Sequence, residues 1–263
     1  MLALWSRVNL YARLARVGWH IVTGLFLATA VFPYGHPAHL THKHRWFKRL
    51  AGILGVHVRC AGGLASSGAL VASNHVSWLD VIVIGTVLPG RFLAKAEVAS
   101  WPLIGPLVRR TGNLFVARGR QDAARDAVEG LAAALGQDDQ VVFFPEGTTS
   151  DGRAVLRFKP RLFAAAVQAQ RPVVPCALAY PTQSGPEGAV PYIGDTGFFT
   201  SLLAVLRQRG IEARLAFAEE PLVGDDPRSL AEQARAWVAA RHCELLAPDA
   251  GHVHSPTRNL RHP

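Results

Sequence analysis

The sequence predicts an α/β fold with a mostly parallel central sheet flanked by helices, preceded by a membrane-associated N-terminal two-helix segment. From residue 61 onward, short apolar runs alternate with longer stretches of helical periodicity, and strands that alternate with helices favour a parallel sheet covered on both faces. The first 60 residues are instead basic and apolar. We therefore expect a membrane-associated helical segment at 1–60, an α/β domain at 61–247 and a disordered tail at 248–263.

The composition is typical of a protein that meets an anionic surface. The 263 residues include 28 Lys and Arg against 19 Asp and Glu, and 49% of them are hydrophobic. Excess positive charge suits the headgroups of a membrane lipid surface. Nucleic acid is the competing partner, but the basic residues do not interleave with aromatic residues in an RNA-reading motif, so no nucleic acid is expected. The three cysteines, Cys60, Cys176 and Cys243, are far apart, which indicates neither a disulfide framework nor a zinc site.

The N-terminal segment contains two predicted helices. Residues 4–16 are amphipathic and include three arginines, among them Arg13, and an uncharged run of about 17 residues follows at 17–33. Residues 46–58 show helical apolar spacing. Because basic residues lie on both sides of the run, we expect a segment that enters one leaflet and returns, with both basic flanks at the headgroups. A single membrane span and cleavage by signal peptidase after Ala30 are the alternatives.

The elements of the α/β domain follow from apolar periodicity and from turn residues. Runs of Val, Ile, Leu and Phe bounded by polar turns predict strands at 68–72, 91–94, 113–116, 140–144, 172–178 and 213–218. Apolar residues at helical spacing, with caps at their ends, predict helices from 81, from Ser100, at 122–135, 159–170 and 197–209, and from Asp226-Pro227.

Residues 74–80, Asn-His-Val-Ser-Trp-Leu-Asp, lie where a predicted strand meets a predicted helix. Ser77 is predicted as the N-cap, which places Asp80 at the third helical position and His75 in the preceding turn. Five residues within one helix would point the two side chains about 140° apart, whereas this corner lets the carboxylate reach one ring nitrogen and leaves the other exposed. That arrangement is typical of an oriented general base. An ordinary capping box is the alternative interpretation.

Two more polar clusters follow predicted strands. Residues 144–150, Phe-Pro-Glu-Gly-Thr-Thr-Ser, leave a strand at the sheet edge where α/β proteins bind ligands. Their backbone N–H groups and hydroxyls suit hydroxyl or phosphate oxygens. Arg118 and Arg120 follow the strand at 113–116, and guanidinium groups match phosphate oxygens. Taken singly, the first cluster is equally consistent with an ordinary turn. Taken singly, the second cluster is consistent with solvated surface arginines that bind no ligand.

Taken together and in this order, the clusters resemble the glycerolipid acyltransferase family, which includes enzymes that make phosphatidate from 1-acylglycerol-3-phosphate and enzymes that acylate lyso-ornithine lipid. The family's four blocks correspond here to residues 74–80, 112–118, 144–148 and 173–176. The resemblance covers about 70–179 and the N-terminal helices. One His-x4-Asp string is unspecific, whereas four blocks in the right order are specific.

The resemblance implies a reaction. His75 would take the proton from the hydroxyl of a lyso-lipid acceptor as that oxygen attacks acyl-ACP or acyl-CoA, the thioesters of acyl carrier protein and coenzyme A. Asp80 would fix the ring tautomer and stabilise the imidazolium. No metal, redox cofactor or covalent enzyme intermediate is implied. The predicted substrate-binding residues are Asn74, Ser77, Lys95, Arg118, Glu146, Gly147, Thr148 and Pro175. Since both thioesters are cytoplasmic, residues 61–247 would be a catalytic domain on the cytoplasmic side of a bacterial inner membrane.

The acceptor is the main alternative left open. Relatives that act on lysophosphatidate commonly have arginine directly after Glu-Gly-Thr, but this chain has Thr149 there, so one phosphate ligand is missing unless Arg118, Arg120 or Arg153 replaces it. Residues 192–195 also resemble the subgroup that acylates lyso-ornithine lipid, whose headgroup has a carboxylate and an amine. We expect 1-acyl-sn-glycerol-3-phosphate as the acceptor, with lyso-ornithine lipid as the alternative. A non-enzymatic lipid-binding protein and a hydrolase are the alternatives from other classes.

Overall fold

The computed structural model describes residues 2–62, 67–117, 122–183, 185 and 187–247, with side chains from residue 9 onward. Within these residues, seven strands form one sheet in the order β1-β7-β6-β2-β5-β3-β4. All neighbouring strands pair in parallel except β6 and β7, which are antiparallel. The predicted, mostly parallel α/β architecture is therefore confirmed. The strands are β1 Val56–Ala61, β2 Leu70–Ser73, β3 Arg91–Lys95, β4 Leu114–Val116, β5 Val141–Phe143, β6 Val173–Ala179 and β7 Ile211–Phe217.

Helices cover both faces of this sheet because neighbouring strand residues point to opposite sides. Val71 and its neighbours across the sheet pack against helices α1, α2, α3 and α7, whereas Leu70 and its neighbours pack against α5, α6 and α8. The helices are α1 Leu2–Phe26, α2 His39–Leu54, α3 Leu79–Gly85, α4 Ile104–Arg110, α5 Ala123–Gly136, α6 Ala164–Ala169, α7 Phe198–Arg207 and α8 Pro227–Leu246. Shorter turns of π- or 3-10-helix lie at Leu27–Val31, Ala96–Ser100 and Pro160–Phe163.

The second N-terminal helix ends earlier than the sequence predicted. Residues 56–58 were predicted as helical, but α2 stops at Leu54 because Gly55 adopts a left-handed conformation with φ +70°. The alternating residues that follow form β1, an edge strand paired with β7. The sheet therefore begins at Val56, inside the segment assigned to the membrane. The predicted disordered tail at 248–263 lies outside the described residues.

The N-terminal helix packs against the α/β domain. Helix α1 continues into the π-helical turn, and Asn9–Val31 is long and apolar enough to cross a membrane, by length and composition, with 22% of its most apolar window buried in the protein. Arg13 was predicted to lie at the headgroups, but its guanidinium donates to the carbonyls of Ile53 at 3.2 Å and Gln208 at 3.0 Å, and also to Leu206. These carbonyls lie at the C-terminal ends of α2 and α7, where backbone carbonyl groups have no hydrogen-bond partner within their own helix.

Two predicted helix starts have opposite outcomes. The Asp226 carboxylate accepts hydrogen bonds from the backbone N–H groups of Arg228 and Ser229, with Pro227 in the first turn, which confirms the predicted cap. Ser100 does not cap a helix, because its hydroxyl donates to the carbonyl of Glu97 and α4 begins only at Ile104.

Candidate active site

The His75 and Asp80 side chains meet at the corner between β2 and α3. The distance from His75 Nδ1 to Asp80 Oδ2 is 2.8 Å, as the corner geometry predicted. The same carboxylate oxygen accepts the backbone N–H groups of Val76 at 2.7 Å and Ser77 at 2.9 Å. Asp80 thus satisfies two donors of the turn that precedes the helix while it orients the imidazole.

Ser77 has a different place from the one predicted. Helix α3 begins at Leu79, so Asp80 is its second residue and not its third. The Ser77 hydroxyl is buried without a hydrogen-bond partner among the described residues, and no side chain caps the helix from the Trp78 position. The prediction of a Ser77 cap is wrong because the backbone N–H of Asp80, which a serine cap would accept, donates to the Ser77 carbonyl at 3.1 Å.

Tyr180 completes the set of donors around Asp80. Its hydroxyl donates to Asp80 Oδ1 at 2.8 Å, and both side chains are fully buried. Burial and the neighbouring Asp80 carboxylate raise the pKa of Tyr180 well above its usual value, so the phenol keeps its proton and remains a donor. Sequence reasoning missed Tyr180; the signal was a hydroxyl directly after the apolar strand β6, whose end lies beside β2 in the sheet.

His75 is held by its backbone and by its ring. The His75 carbonyl accepts hydrogen bonds from the backbone N–H of Ser150 at 2.8 Å and from the Ser150 hydroxyl at 3.2 Å. The ring stacks on Phe144 with centroids 3.9 Å apart and planes 13° apart. The side chain is 17% exposed, and no described residue binds Nε2. The pair therefore has the geometry that an oriented general base requires, with the second ring nitrogen unbound by any described residue.

A cavity of about 890 Å³ opens beside His75. Its walls are mostly apolar side chains from α1, α2, α3, β3 and α4. The cavity reaches from Lys95, at the carboxyl end of β3, to Lys43 near the other end of that strand. The Lys43 amine donates to the carbonyls of Gly90 at 2.8 Å and Thr111 at 3.2 Å. This volume and apolar lining suit a long hydrocarbon chain whose reactive end lies at His75.

Comparison with known proteins agrees with this geometry. Residues 56–179 match the family model described as Acyltransferase. A lyso-ornithine lipid O-acyltransferase of Pseudomonas aeruginosa is 34% identical over 251 residues, which are 92% of this chain and 97% of that protein. The chain belongs to the acyltransferase family. The resemblance carried by the four sequence blocks is thus confirmed.

This acyltransferase is also similar to enzymes with another acceptor in their names. The 1-acyl-sn-glycerol-3-phosphate acyltransferase of Neisseria meningitidis is 35% identical over 151 residues, 57% of this chain and 59% of that one. The crystal structure of the 1-acyl-sn-glycerophosphate acyltransferase PlsC from Thermotoga maritima has the same fold, with a TM-score of 0.58 and 22% identity over 90% of this chain and 98% of that one.

The predicted substrate-binding residues separate into two groups. Lys95, Gly147 and Thr148 line the cavity with His75. Four others are buried and are absent from the described lining: Asn74, Ser77, Glu146 and Pro175. Arg118 lies outside the described residues. Binding by the first group stays a prediction, and the buried group is placed to support the site from behind.

Asn74 and Pro175 join the strands under the site. The Asn74 amide donates to the carbonyl of Leu178 at 2.9 Å, and its side-chain oxygen accepts the N–H of Leu178 at 2.8 Å. This pair of bonds extends the pairing of β2 and β6 beyond the end of β2. Pro175 lies within β6 opposite Ala72, and its carbonyl accepts the N–H of Ala218. Both residues fix the sheet edge from which His75 projects.

Glu146 is a buried carboxylate beneath the active-site turn. It is 3% exposed, Oε1 accepts the N–H of Leu156 at 3.3 Å, and Oε2 has no partner among the described residues. Burial raises the pKa of Glu146 to about 8, against partial compensation from backbone hydrogen bonds. Glu146 therefore carries a proton at neutral pH, and its contacts indicate that it positions the turn that bears Gly147 and Thr148.

We expect this proton to make stability depend on pH. The folded protein holds it up to about pH 8, whereas an unfolded glutamate releases it near pH 4.3. The contribution of Glu146 to the free energy of unfolding is thus complete below that lower value and is lost as pH rises through about 8. Glu146→Gln, which stays neutral, should flatten the fall in Tm between pH 5 and 9 measured in detergent. An equally steep fall in the variant would contradict the assignment.

Tyr180 gives a test of the support behind Asp80. Tyr180→Phe removes one donor to the Asp80 carboxylate without changing the shape of the side chain, at a cost of about 1.5–3 kcal/mol. We expect kcat to fall about 10- to 150-fold if that cost is felt in the transition state. KM for both substrates should stay within about twofold, since Tyr180 contacts Asp80 and is not among the residues that line the cavity. A change confined to KM would show that Tyr180 acts on substrate binding.

A lysine that the sequence analysis did not select stands beside the Glu-Gly-Thr turn. Lys159 lines the cavity with Gly147 and Thr149, and a Cβ added to Gly147, whose φ is +70°, would lie 2.7 Å from Lys159 Nζ. The amine makes no hydrogen bond or ion pair with a described residue. Arg153, considered above as a replacement phosphate ligand, instead pairs with Asp151 at 3.9 Å. Lys159 thus brings a positive charge close to the position of the missing arginine.

Proposed function

We propose that this acyltransferase moves a fatty acyl group from a thioester to the hydroxyl of a lysolipid, with His75 as general base. The observation that carries the proposal is the 2.8 Å contact between His75 Nδ1 and Asp80 Oδ2, in a pair whose histidine lines an apolar cavity of about 890 Å³. A fixed imidazole beside space for a hydrocarbon chain is what acyl transfer to a lipid alcohol requires.

The reaction proceeds through two bond changes at the thioester carbon. His75 Nε2 accepts the proton of the lysolipid hydroxyl while the oxygen bonds to the carbonyl carbon, which gives a tetrahedral intermediate. The C–S bond then breaks, and the imidazolium returns the proton to the departing thiolate. Asp80 keeps Nδ1 protonated in the ground state and stabilises the imidazolium charge between the two steps. The thioester supplies the driving force, so this chemistry requires no metal or redox cofactor.

The acceptor headgroup should be anionic. Lys95 and Lys159 both line the cavity, and so do the consecutive residues Gly147, Thr148 and Thr149. Two ammonium groups fit the phosphate of 1-acyl-sn-glycerol-3-phosphate or the carboxylate of lyso-ornithine lipid. Lyso-ornithine lipid is the second candidate acceptor. Two observations favour it: Thr149 stands in place of arginine, and the relative that matches 92% of this chain is a lyso-ornithine lipid O-acyltransferase.

Thiol release with each acceptor distinguishes these possibilities. Purified full-length protein is given acyl-ACP or acyl-CoA together with 1-acyl-sn-glycerol-3-phosphate, lyso-ornithine lipid or no acceptor. Acceptor-dependent release of free thiol supports the proposal, and the acceptor with the higher kcat/KM is the substrate. Release without acceptor would identify a hydrolase. Binding of lipid with no release under any condition would leave a lipid-binding protein.

We expect Lys159→Gln to weaken acceptor binding. Loss of a hydrogen bond to a charged group costs about 1.5–3 kcal/mol, which corresponds to a rise of about 10-fold or more in KM for the acceptor. KM for the thioester should change much less. Arg157→Gln is the matched control, because Arg157 is an exposed cation two residues away that is absent from the described cavity lining. Equal effects of the two variants would mean that only overall charge matters.

The proposed setting is the inner membrane of a bacterium, with the α/β domain facing the cytoplasm. The apolar helix Asn9–Val31 provides the membrane association, and the thioester donors are made in the cytoplasm. Protease added to inverted inner-membrane vesicles should digest the α/β domain, whereas protease added to intact spheroplasts should spare it. The reverse pattern would separate the enzyme from its donor and exclude this arrangement.

A further inference from the structure

Two exposed apolar side chains of the α/β domain lie next in sequence to residues that line the cavity. Leu103 is 51% exposed and Phe199 is 59% exposed. Each follows closely on an aromatic residue that lines the cavity, Trp101 and Phe198, and the ring centroids of these two residues are 5.1 Å apart. Leu103 and Phe199 therefore lie near one another, on either side of this aromatic contact.

Leu103 is held outward by an unfavourable backbone conformation. Its φ is +63° and its ψ is −47°, and the N–H of Ile104 donates to the carbonyl of Pro102 at 2.7 Å. These values define a γ-turn of the strained hand, which a β-carbon disfavours. The strain opposes folding, and a leucine that stays exposed to water gives no burial energy to offset it. A surrounding that takes up the leucine side chain would supply that energy.

Two exposed arginines lie near this turn. Arg109 and Arg110 are in the last turn of α4, and Arg109 donates to the carbonyl of Ala99 in the 3-10 turn Ala96–Ser100, which also carries the exposed Glu97. Apolar and aromatic side chains beside exposed arginines are typical of a surface that rests in the headgroup region of an anionic leaflet.

Helix α1 extends the same surface. Its most exposed apolar residues, Tyr11, Trp19, Val22 and Phe26, recur at helical spacing along one side. The opposite side contacts the α/β domain, where α1 touches both α4 and α7. Helix α1 thus contacts the two helices that begin next to Leu103 and Phe199.

We propose that the Leu103 turn and Phe199 form a second membrane contact, separate from α1, that sets the cavity mouth into the interfacial layer of an anionic leaflet. The occupant is a lipid surface, because apolar side chains, aromatic rings and arginines share the patch and its neighbour α1 carries a lipid-facing stripe. Under this arrangement a lysolipid reaches His75 sideways from the leaflet, without passing through water. The proposal goes beyond the reaction itself and does not depend on the identity of the acceptor.

Depth measurement by spin labelling tests the contact without any catalysis. The full chain with Cys60→Ser and Cys243→Ser keeps only Cys176, which is fully buried. A nitroxide is attached at Leu103→Cys, Phe199→Cys or Val223→Cys, and the protein is bound to phosphatidylethanolamine–phosphatidylglycerol vesicles. Val223 is the control: it is 84% exposed and adjoins Leu222, which pairs with Val173 at the start of β6, the strand end opposite the active site.

We expect labels at 103 and 199 to be shielded from a water-soluble nickel chelate by at least about fivefold relative to the label at 223, and to be more accessible to oxygen. Equal nickel accessibility at all three positions would overturn the proposal. This result is independent of thiol release, so failure of the proposed reaction and failure of the membrane contact are distinguishable.

A kinetic measurement checks the consequence. The double variant Leu103→Gly and Phe199→Ser removes both side chains, and glycine relieves the positive φ, so folding is not put at risk by the turn. We expect KM for acceptor presented in vesicles to rise about 10-fold, with KM for detergent-dispersed acceptor within twofold. Val223→Ser should change neither. An unchanged KM in vesicles would contradict the second contact.

Discussion

Turnover of the His75→Ala variant is expected to be about 10²–10⁴-fold below that of the unchanged protein, which is the usual contribution of a general base. The imidazole is fixed on both sides, by Asp80 at 2.8 Å and by the stacked ring of Phe144. None of the described groups around it offers an equivalent base, since Glu146 is buried and protonated at neutral pH. Thiol release under saturating acceptor measures the loss as kcat.

His57→Ala is the matched control for this measurement. His57 is exposed on edge strand β1 and is absent from the described cavity lining, so its variant should keep turnover within twofold. The Tm of His75→Ala should also stay close to that of the unchanged protein. Turnover above about a tenth of normal in His75→Ala would remove the proposed mechanism, whatever the acceptor.

Replacing Asp80 is expected to reduce both turnover and stability, to degrees that depend on the replacement. Asp80→Ala leaves the N–H groups of Val76 and Ser77 and the hydroxyl of Tyr180 without their acceptor. Breaking a buried, hydrogen-bonded charge network of this kind costs about 3–5 kcal/mol. We therefore expect a large drop in Tm or loss of folded protein for Asp80→Ala.

Asp80→Asn separates the chemical role from the structural one. The asparagine oxygen can accept the two backbone N–H groups while its amide faces the Tyr180 hydroxyl, so most of the fold is retained. The negative charge that stabilises the imidazolium is lost, and turnover should fall by about 10²–10⁴-fold. Measuring Tm and kcat for both variants decides the matter: full turnover in a folded Asp80→Asn protein would show that the charge is not used.

The sequence was most informative where one pattern implied one geometry. Apolar runs such as residues 172–178 favoured buried strands, and the position of His75 and Asp80 on either side of a strand–helix corner allowed the contact that the structure shows. The sequence was less informative where the decisive partner is distant. Tyr180 is 100 residues from Asp80, and its role depends on the pairing of β2 with β6, which no local pattern specifies.

Local rules also failed where tertiary contacts replaced local ones. A serine before a helix predicts a cap, but the N–H of Asp80 donates to the backbone carbonyl of Ser77 and not to its hydroxyl. Arginines before an apolar helix predict headgroup contacts, but Arg13 binds the carbonyl ends of two other helices. The start of the sheet at Val56 was missed because residues 56–61 pair with β7, far along the chain.

The bonds of Arg13 constrain how the protein is made. The guanidinium binds the carbonyl of Leu206, 193 residues later in the chain. The first helix leaves the ribosome, and can insert into lipid, long before that carbonyl has been synthesised. Docking of this helix against α7 is therefore among the last steps of biogenesis, and a nascent chain halted before α7 would hold a first helix that can pack on α2 and α4 but not on α7.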